Sequence, residues 1–262
     1  MARVQAFYLP DGPSSFVSTQ STGGPWSAAS QHGGPPAALL TRAVETLAGE
    51  GHVVGRLTVE LLGPVPVGPV RVEATVVRPG RTVSLCEATV HDVARDRPCA
   101  RGVAWTFPRR EDGPLQQTGP PTHSPEDGVE KEPPEDWSRG YLDAMEWRWI
   151  HGAVTEAGPG TVWMRPRVDL VQGEAMSPVQ RLMACVDSAS GVSAALDVRE
   201  WSFLNTELTV HVLREPVGDW VCLDAVTSLG PGSVGLATST VYDVRGLVAR
   251  SAQALLVVRR EG

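Results

Sequence analysis

The strongest constraint on this chain is that it repeats itself. Residues 57–93 lie over residues 208–244 at a constant offset of 151 with no gap, and twelve of the 37 pairs are identical. Among them are Leu57/Leu208, Thr58/Thr209, Val59/Val210, Leu62/Leu213, Asp92/Asp243 and Val93/Val244. A turn two residues shorter in the second copy then lays Ala100-Arg101 on Ala249-Arg250, and each copy closes on a basic pair, Arg109-Arg110 and Arg259-Arg260. Solenoid units run to about 20–50 residues. The 262-residue chain is therefore read as a tandem duplication of one domain.

Each copy reads as a helix followed by strands. Gly33-Gly34-Pro35-Pro36 opens a segment in which Leu39, Leu40, Ala43, Val44 and Leu47 recur at helical spacing. Proline just inside a helix start costs no hydrogen bond, because that amide lacks an intrahelical acceptor anyway. Ser177-Pro178 opens the second helix the same way, with Ser177 as N-cap, and the apolar pattern predicts that this helix runs on through Asp187. Runs such as 57–62, 69–77 and 82–93 are β-branched or alternating and are separated by Gly/Pro turns. One helix and a mostly antiparallel sheet per copy predict an α+β module in which the sheet wraps a central helix. The stretch 109–139 is rich in Pro and acid and poor in apolar periodicity, so it is expected to be an exposed linker. The expected organisation is a first module over 1–110, a linker over 111–139 and a second module over 140–262.

Composition removes several classes of function. A formal net charge of −7 with no cluster of cations argues against a nucleic-acid or polybasic membrane surface. No run of 18 apolar residues and no signal-like leader is present, so a cytoplasmic location is expected. Cys86, Cys99, Cys185 and Cys222 stand singly in apolar contexts and read as buried thiols. The six histidines lack metal-ligand spacing, so neither a metal nor a cofactor is expected. Gly230, Gly232 and Gly235 match a dinucleotide fingerprint but fall in a strand-to-strand turn, and GVSAA at 191–195 lies in a helix, where a nucleophile elbow cannot form.

What remains is a set of polar residues present in one copy only. Asp187 lies at the edge of the buried face of the second helix, and its counterpart in the first is Val44. A carboxylate there is either a structural hydrogen-bond acceptor or a desolvated general base. Gln253, in an otherwise apolar last strand, is set against Ala104, and Asn205 is the chain's single Asn.

The segments WSAASQHGGPPAALLTRAVE, FLNTELTVHVLREPVGDW and GLATSTVYDVRGLVARSAQALLV together resemble the TesB-like double-hotdog acyl-CoA thioesterases, in their actinobacterial form. The resemblance spans both copies from about residue 15 to 260 apart from the linker. It implies two tandem hotdog modules forming an internal pseudo-dimer, with Asp187, Asn205 and Gln253 positioning a hydrolytic water. It also implies that the start of the first helix faces this trio. Gly33 and Gly34 then either supply oxyanion donors or permit close packing, and His32 either joins the pocket or makes a structural hydrogen bond. The implied substrate is a thioester of coenzyme A or an acyl-carrier protein, and further association of pseudo-dimers is open. Two alternatives stand beside hydrolysis: a dehydratase or cyclase acting on a polyketide-type chain, with His32 and Asp187 as its pair, and a non-catalytic acyl-binding module.

Overall fold

A computed structural model describes residues 6–110, 119 and 121–260. The first copy comprises β1 (Ala6–Pro10), β2 (Ser15–Ser18), β3 (Gly23–Gly24), β4 (Ser27–Gln31), α1 (Gly34–Ala48), β5 (His52–Leu61), β6 (Pro69–Arg78), β7 (Ser84–Asp92) and β8 (Arg97–Pro108). The second comprises α2 (Gly140–Ala144), β9 (Met145–His151), β10 (Gly160–Pro166), β11 (Asp169–Val171), α3 (Pro178–Val186), α4 (Ala189–Val192), β12 (Trp201–Asn205), β13 (Glu207–Val212), β14 (Val221–Leu229), β15 (Val234–Asp243) and β16 (Gly246–Arg259).

Burial alternates along the strands as the pleat demands. Cys86, Ala88, Val90 and Asp92 face inward on β7, and their counterparts Ala237, Ser239, Val241 and Asp243 do so on β15. The strands join into one large sheet in the order β11-β1-β2-β6-β7-β8-β5-β13-β16-β15-β14-β10-β9, with β12 also paired to β16. The copies meet where β5 pairs antiparallel with β13, Leu57 opposite Val210, Thr58 opposite Thr209 and Val59 opposite Leu208. Each partner of Thr58 and Thr209 is thus the other's own repeat equivalent, and their hydroxyl oxygens lie 3.0 Å apart. A strand that pairs with its own copy in this register sits on a local two-fold axis. The sheet covers α1 and α3, which pack together at the centre in opposite directions: the start of α1 meets the end of α3 at Ala184, and Glu45 near the end of α1 reaches Ser177 and Gln180 at the start of α3. This is the predicted α+β double module.

Residues identical in the two copies serve the fold. Asp243 is fully buried and accepts hydrogen bonds from Arg214 at 2.5 and 2.6 Å and from the amides of Val217, Arg245 and Gly246. Asp92 is equally buried and accepts from the amide and guanidinium of Arg95. Both tie down the turn after their strand.

Two expectations change. The second helix does not run through Asp187: α3 stops at Val186, Asp187 is its C-cap, and α4 resumes at Ala189. In an unbroken helix the Asp187 carbonyl would accept from Gly191 and the Ser190 amide would donate to Val186. Instead Gln253 takes both groups, its Nε2 donating to the Asp187 carbonyl at 3.0 Å and its Oε1 accepting from Ser190 N–H at 3.1 Å. The Pro- and acid-rich stretch also departs from an exposed linker. Residues 111–118 and 120 lie outside the described residues, but beyond them Pro125 is buried, Val129 exchanges two backbone hydrogen bonds with Trp149, and Trp137 packs on Trp26 with ring centroids 4.7 Å apart. A few aromatic and apolar residues suffice to dock a segment whose acids pair outward with Arg139 and Arg148.

Burial alone would raise the Asp243 carboxyl, but Arg214 and the surrounding amides outweigh it and hold it below the ordinary carboxylate range. Its contribution to stability is thus complete above that range and is lost as the pH falls through the lowered value. Asp243→Asn should lower unfolding stability at neutral pH by about 2 kcal/mol, and denaturant titrations should show the difference from wild type shrinking in acid.

Candidate active site

The break between α3 and α4 aims the Asp187 side chain at the start of α1. Its carboxylate is only 6% exposed. Oδ1 accepts from Asn205 Nδ2 at 2.7 Å and from Gln253 Nε2 at 3.2 Å, so two amides from two strands converge on one oxygen. Gln253 is fully buried, and its amide hydrogens are both directed at Asp187, one at the carbonyl and one at the carboxylate. It therefore positions Asp187 and has no hydrogen left for a water. Asn205 is half-buried and lines a cavity.

The other oxygen, Oδ2, faces the first copy. His32 Nδ1 lies 3.2 Å from it, and a Cβ on Gly33 would stand only 2.6 Å from it. Gly33 is required by this approach, whereas Gly34 is required by helix packing, since a Cβ there would meet the Ala184 carbonyl at 2.3 Å. Pro35 and Pro36 carry no amide hydrogen, and Ala37 already donates to Gly33. Gly34 donates to His32 Nδ1 at 3.1 Å, so among the described residues the free donor at this helix start is that of Gly33, beside the positive end of the helix dipole.

His32 is held flat against Tyr141, with ring centroids 3.8 Å apart and planes 2° from parallel. Tyr141 is itself pinned by donating to the Ala184 carbonyl at 2.6 Å, and burial pushes its phenol well up, so it stays neutral. Burial lowers the imidazole, against the opposing pull of Asp187. The neutral ring has one proton, and Nδ1 lies near both the Gly34 amide at 3.1 Å and Asp187. It cannot accept from the first and donate to the second at once. The Gly34 N–H is directed at Nδ1 and donates to it, so in the neutral ring Nδ1 is the acceptor and the proton sits on Nε2. The Gly34 amide is therefore spent on His32, and of the two glycines expected to supply oxyanion donors only Gly33 keeps its amide for a ligand among the described residues.

Asp187, Asn205, His32 and Gly33 all open onto a cavity of about 440 Å³. Its other walls include Trp26, Trp137, Tyr141, Leu142, Trp147, Val154 and Phe203. Trp163 is fully buried core, while Trp26, Trp137 and Trp147 line the cavity. No periodicity could have distinguished them, because Trp137 enters from the Pro- and acid-rich segment. Of the motifs set aside, Gly230 and Gly232 form the turn between β14 and β15, and Gly191 to Ala195 begin inside α4. Among the described residues no group of three His, Cys, Asp or Glu side chains comes together as a metal site, and no helix is long and apolar enough to cross a membrane.

A buried histidine with a lowered folded-state value binds fewer protons than the unfolded chain. Stability then falls as the pH drops through the ordinary histidine range of about 6.5. Thermal melts of wild type and His32→Phe, which keeps a ring against Tyr141, should show wild type losing more stability between about pH 7.5 and about pH 5.5.

Comparison with known proteins places this geometry. Residues 22–107 match the family model for the acyl-CoA thioesterase N-terminal domain, and residues 121–257 match that for its C-terminal domain. No curated protein matches the chain. Among solved structures, the tesB protein of Mycobacterium avium subsp. paratuberculosis is 18% identical, with 96% of each chain covered and a TM-score of 0.68. A protein of unknown function with a hot dog fold from Alicyclobacillus acidocaldarius is 18% identical, with 97% of this chain and 96% of that one covered and a TM-score of 0.71. The acyl-CoA thioesterase II TesB2 of Mycobacterium marinum is 14% identical, with 88% and 91% covered and a TM-score of 0.65. At these identities the structures speak for the fold, and the two consecutive domain matches carry the assignment: the chain belongs to the acyl-CoA thioesterase family, as a thioester hydrolase built from two hot dog modules.

Proposed function

We propose that Asp187 is the general base that activates water against an acyl thioester, positioned by Asn205 and Gln253, with the amide of Gly33 at the start of α1 receiving the oxyanion. The two modules, 1–110 and 140–262, share this one site. The observation that carries the reading is the asymmetry of the carboxylate. Two amides occupy Oδ1, while Oδ2 points at a glycine-rich helix start on the wall of an apolar cavity. Oδ2 takes a proton from water as the water oxygen bonds to the thioester carbon. The tetrahedral intermediate places its negative oxygen at the start of α1, where the Gly33 amide and the positive end of the helix dipole stabilise it without reorganisation. Collapse breaks the carbon–sulfur bond, and the proton on Asp187 passes to the departing thiolate. His32, whose Nδ1 accepts from the Gly34 amide, stands 3.2 Å from Oδ2 and walls it on that side.

The acyl group would lie among Trp26, Trp137, Trp147 and Phe203. Coenzyme A is the carrier that the family implies, and an acyl-carrier protein would present the same arm. A cytoplasmic role in lipid or polyketide metabolism, and association of pseudo-dimers, belong to this reading as well. The dehydratase alternative rests on the His32–Asp187 pair, but at 3.2 Å the two touch and leave no space for a substrate carbon between them.

With a panel of acyl-CoAs and a free-thiol readout, Asp187→Asn should fold normally and lose about 10²- to 10⁴-fold in kcat. Turnover by Asp187→Ala at the wild-type rate overturns the assigned base, and tight acyl-CoA binding by wild type without thiol release makes the protein a binding module. Water loss or ring closure without thiol release would instead favour the dehydratase or cyclase. Gly33→Ala should displace Oδ2 and cost about 100-fold in kcat while the thermal melt moves little, since about 1 Å of misplacement is enough for such a loss.

A further inference from the structure

The basic pair that closes each copy meets different fates in the two modules. Arg109 pairs with Glu215, and Arg259 pairs with Glu200 at 3.4 Å. Arg260 has no carboxylate within ion-pair distance among the described residues, yet it is held in place. Its backbone amide donates to the Glu200 carbonyl at 2.8 Å, and its Nε donates to the carbonyls of Val198 and Trp201 at 3.1 and 3.3 Å. Its guanidinium carbon lies 5.1 Å from the centre of the Trp26 ring. Val198 and Trp26 both line the active-site cavity, while Trp26 and Arg260 are exposed, which puts the guanidinium at the cavity mouth.

These contacts orient the charge without neutralising it. The Nη1 and Nη2 hydrogens have no protein acceptor among the described residues. A planar fork so presented suits the paired oxygens of a phosphate, and its stem is already immobilised, so little side-chain entropy is lost on binding. In a chain with 30 acidic and 23 basic residues, an uncompensated guanidinium at an apolar cavity is the feature an anionic substrate arm would use.

We infer that Arg260, stacked on Trp26, binds a phosphate on the pantetheine arm of the substrate and so determines affinity for the carrier. The inference rests on the thioesterase reading above. The phosphate comes either from coenzyme A or from the phosphopantetheine of a carrier protein.

The experiment compares one acyl group on coenzyme A, on 4′-phosphopantetheine and on pantetheine, which lacks phosphate. Arg260→Ala should raise KM for the phosphate-bearing substrates about tenfold with kcat unchanged, leave acyl-pantetheine unaffected, and be partly rescued by Arg260→Lys. An effect on both phosphate-bearing substrates places the contact at the pantetheine phosphate, whereas an effect on acyl-CoA alone overturns that placement, because the contact would then be to the nucleotide's phosphates. Arg97, whose guanidinium lies by Gly63 on another part of the cavity wall, is the control, and Arg97→Ala should not reproduce the pattern. An equal loss with acyl-pantetheine, no change in KM for acyl-CoA, or the same pattern from Arg97→Ala overturns the inference. Calorimetric binding of non-hydrolysable thioether analogues of acyl-CoA and acyl-pantetheine yields the same ratio without turnover. A wild type that binds in the predicted ratio but releases no thiol would refute the hydrolase reading alone. If Arg260→Ala unfolds, Arg260→Gln, which retains a hydrogen-bond donor and loses the charge, takes its place.

Discussion

The structure depends on one pairing, the antiparallel match of β5 with its own repeat equivalent β13 about Thr58 and Thr209. Because the two strands meet at equivalent residues, a local two-fold relates everything attached to them. The two central helices must then run in opposite directions, and the start of each must face the end of the other. This single constraint turns two copies of a module into two potential sites, each made from one helix start and the opposing helix end.

The two ends differ in chemistry. At one, Asp187 faces His32, Gly33 and Gly34 beside an open cavity. At the other, Glu45 accepts from Ser177 Oγ at 2.9 Å and from Gln180 Nε2 at 2.7 Å, closing the start of α3 with side chains rather than leaving its amides for a ligand. Ser177 also caps that helix by accepting from the Gln180 amide at 3.0 Å. The positions equivalent to Asp187, Asn205 and Gln253 are Val44, Val54 and Ala104, all buried and apolar. The strand register supports the last of these equivalences, since Ala104 lies opposite Cys86 and Gln253 lies opposite Ala237, itself the repeat equivalent of Cys86. Duplication thus allowed one end to be closed by side-chain hydrogen bonds over apolar residues while the other retained polar groups facing a cavity.

Comparison of the copies also separated fold from chemistry at the level of single residues. Asp92 and Asp243, identical and fully buried, hold turns. Asp187, Asn205 and Gln253, each without a polar counterpart, meet in space. That contrast was legible in the chain, as were the helix starts at the two proline-containing segments and the alternation of the strands. The break in the second helix was not. Its cause is Gln253, 66 residues away in sequence, whose amide replaces two helical hydrogen bonds. Local helical periodicity continues through Asp187 and carries no trace of it.

By itself, then, the sequence determined the duplication, the α+β class of each module and which polar residues belong to one copy only, because these follow from self-similarity and from side-chain periodicity along the backbone. The tertiary structure alone decided that Asp187 presents one oxygen to two amides and the other to a glycine helix start, that the Pro- and acid-rich segment brings Trp137 to the cavity, and that Arg260 stands oriented but unneutralised at its mouth. These are contacts between residues far apart in the chain. Their energies depend on burial and direction, which no local pattern encodes.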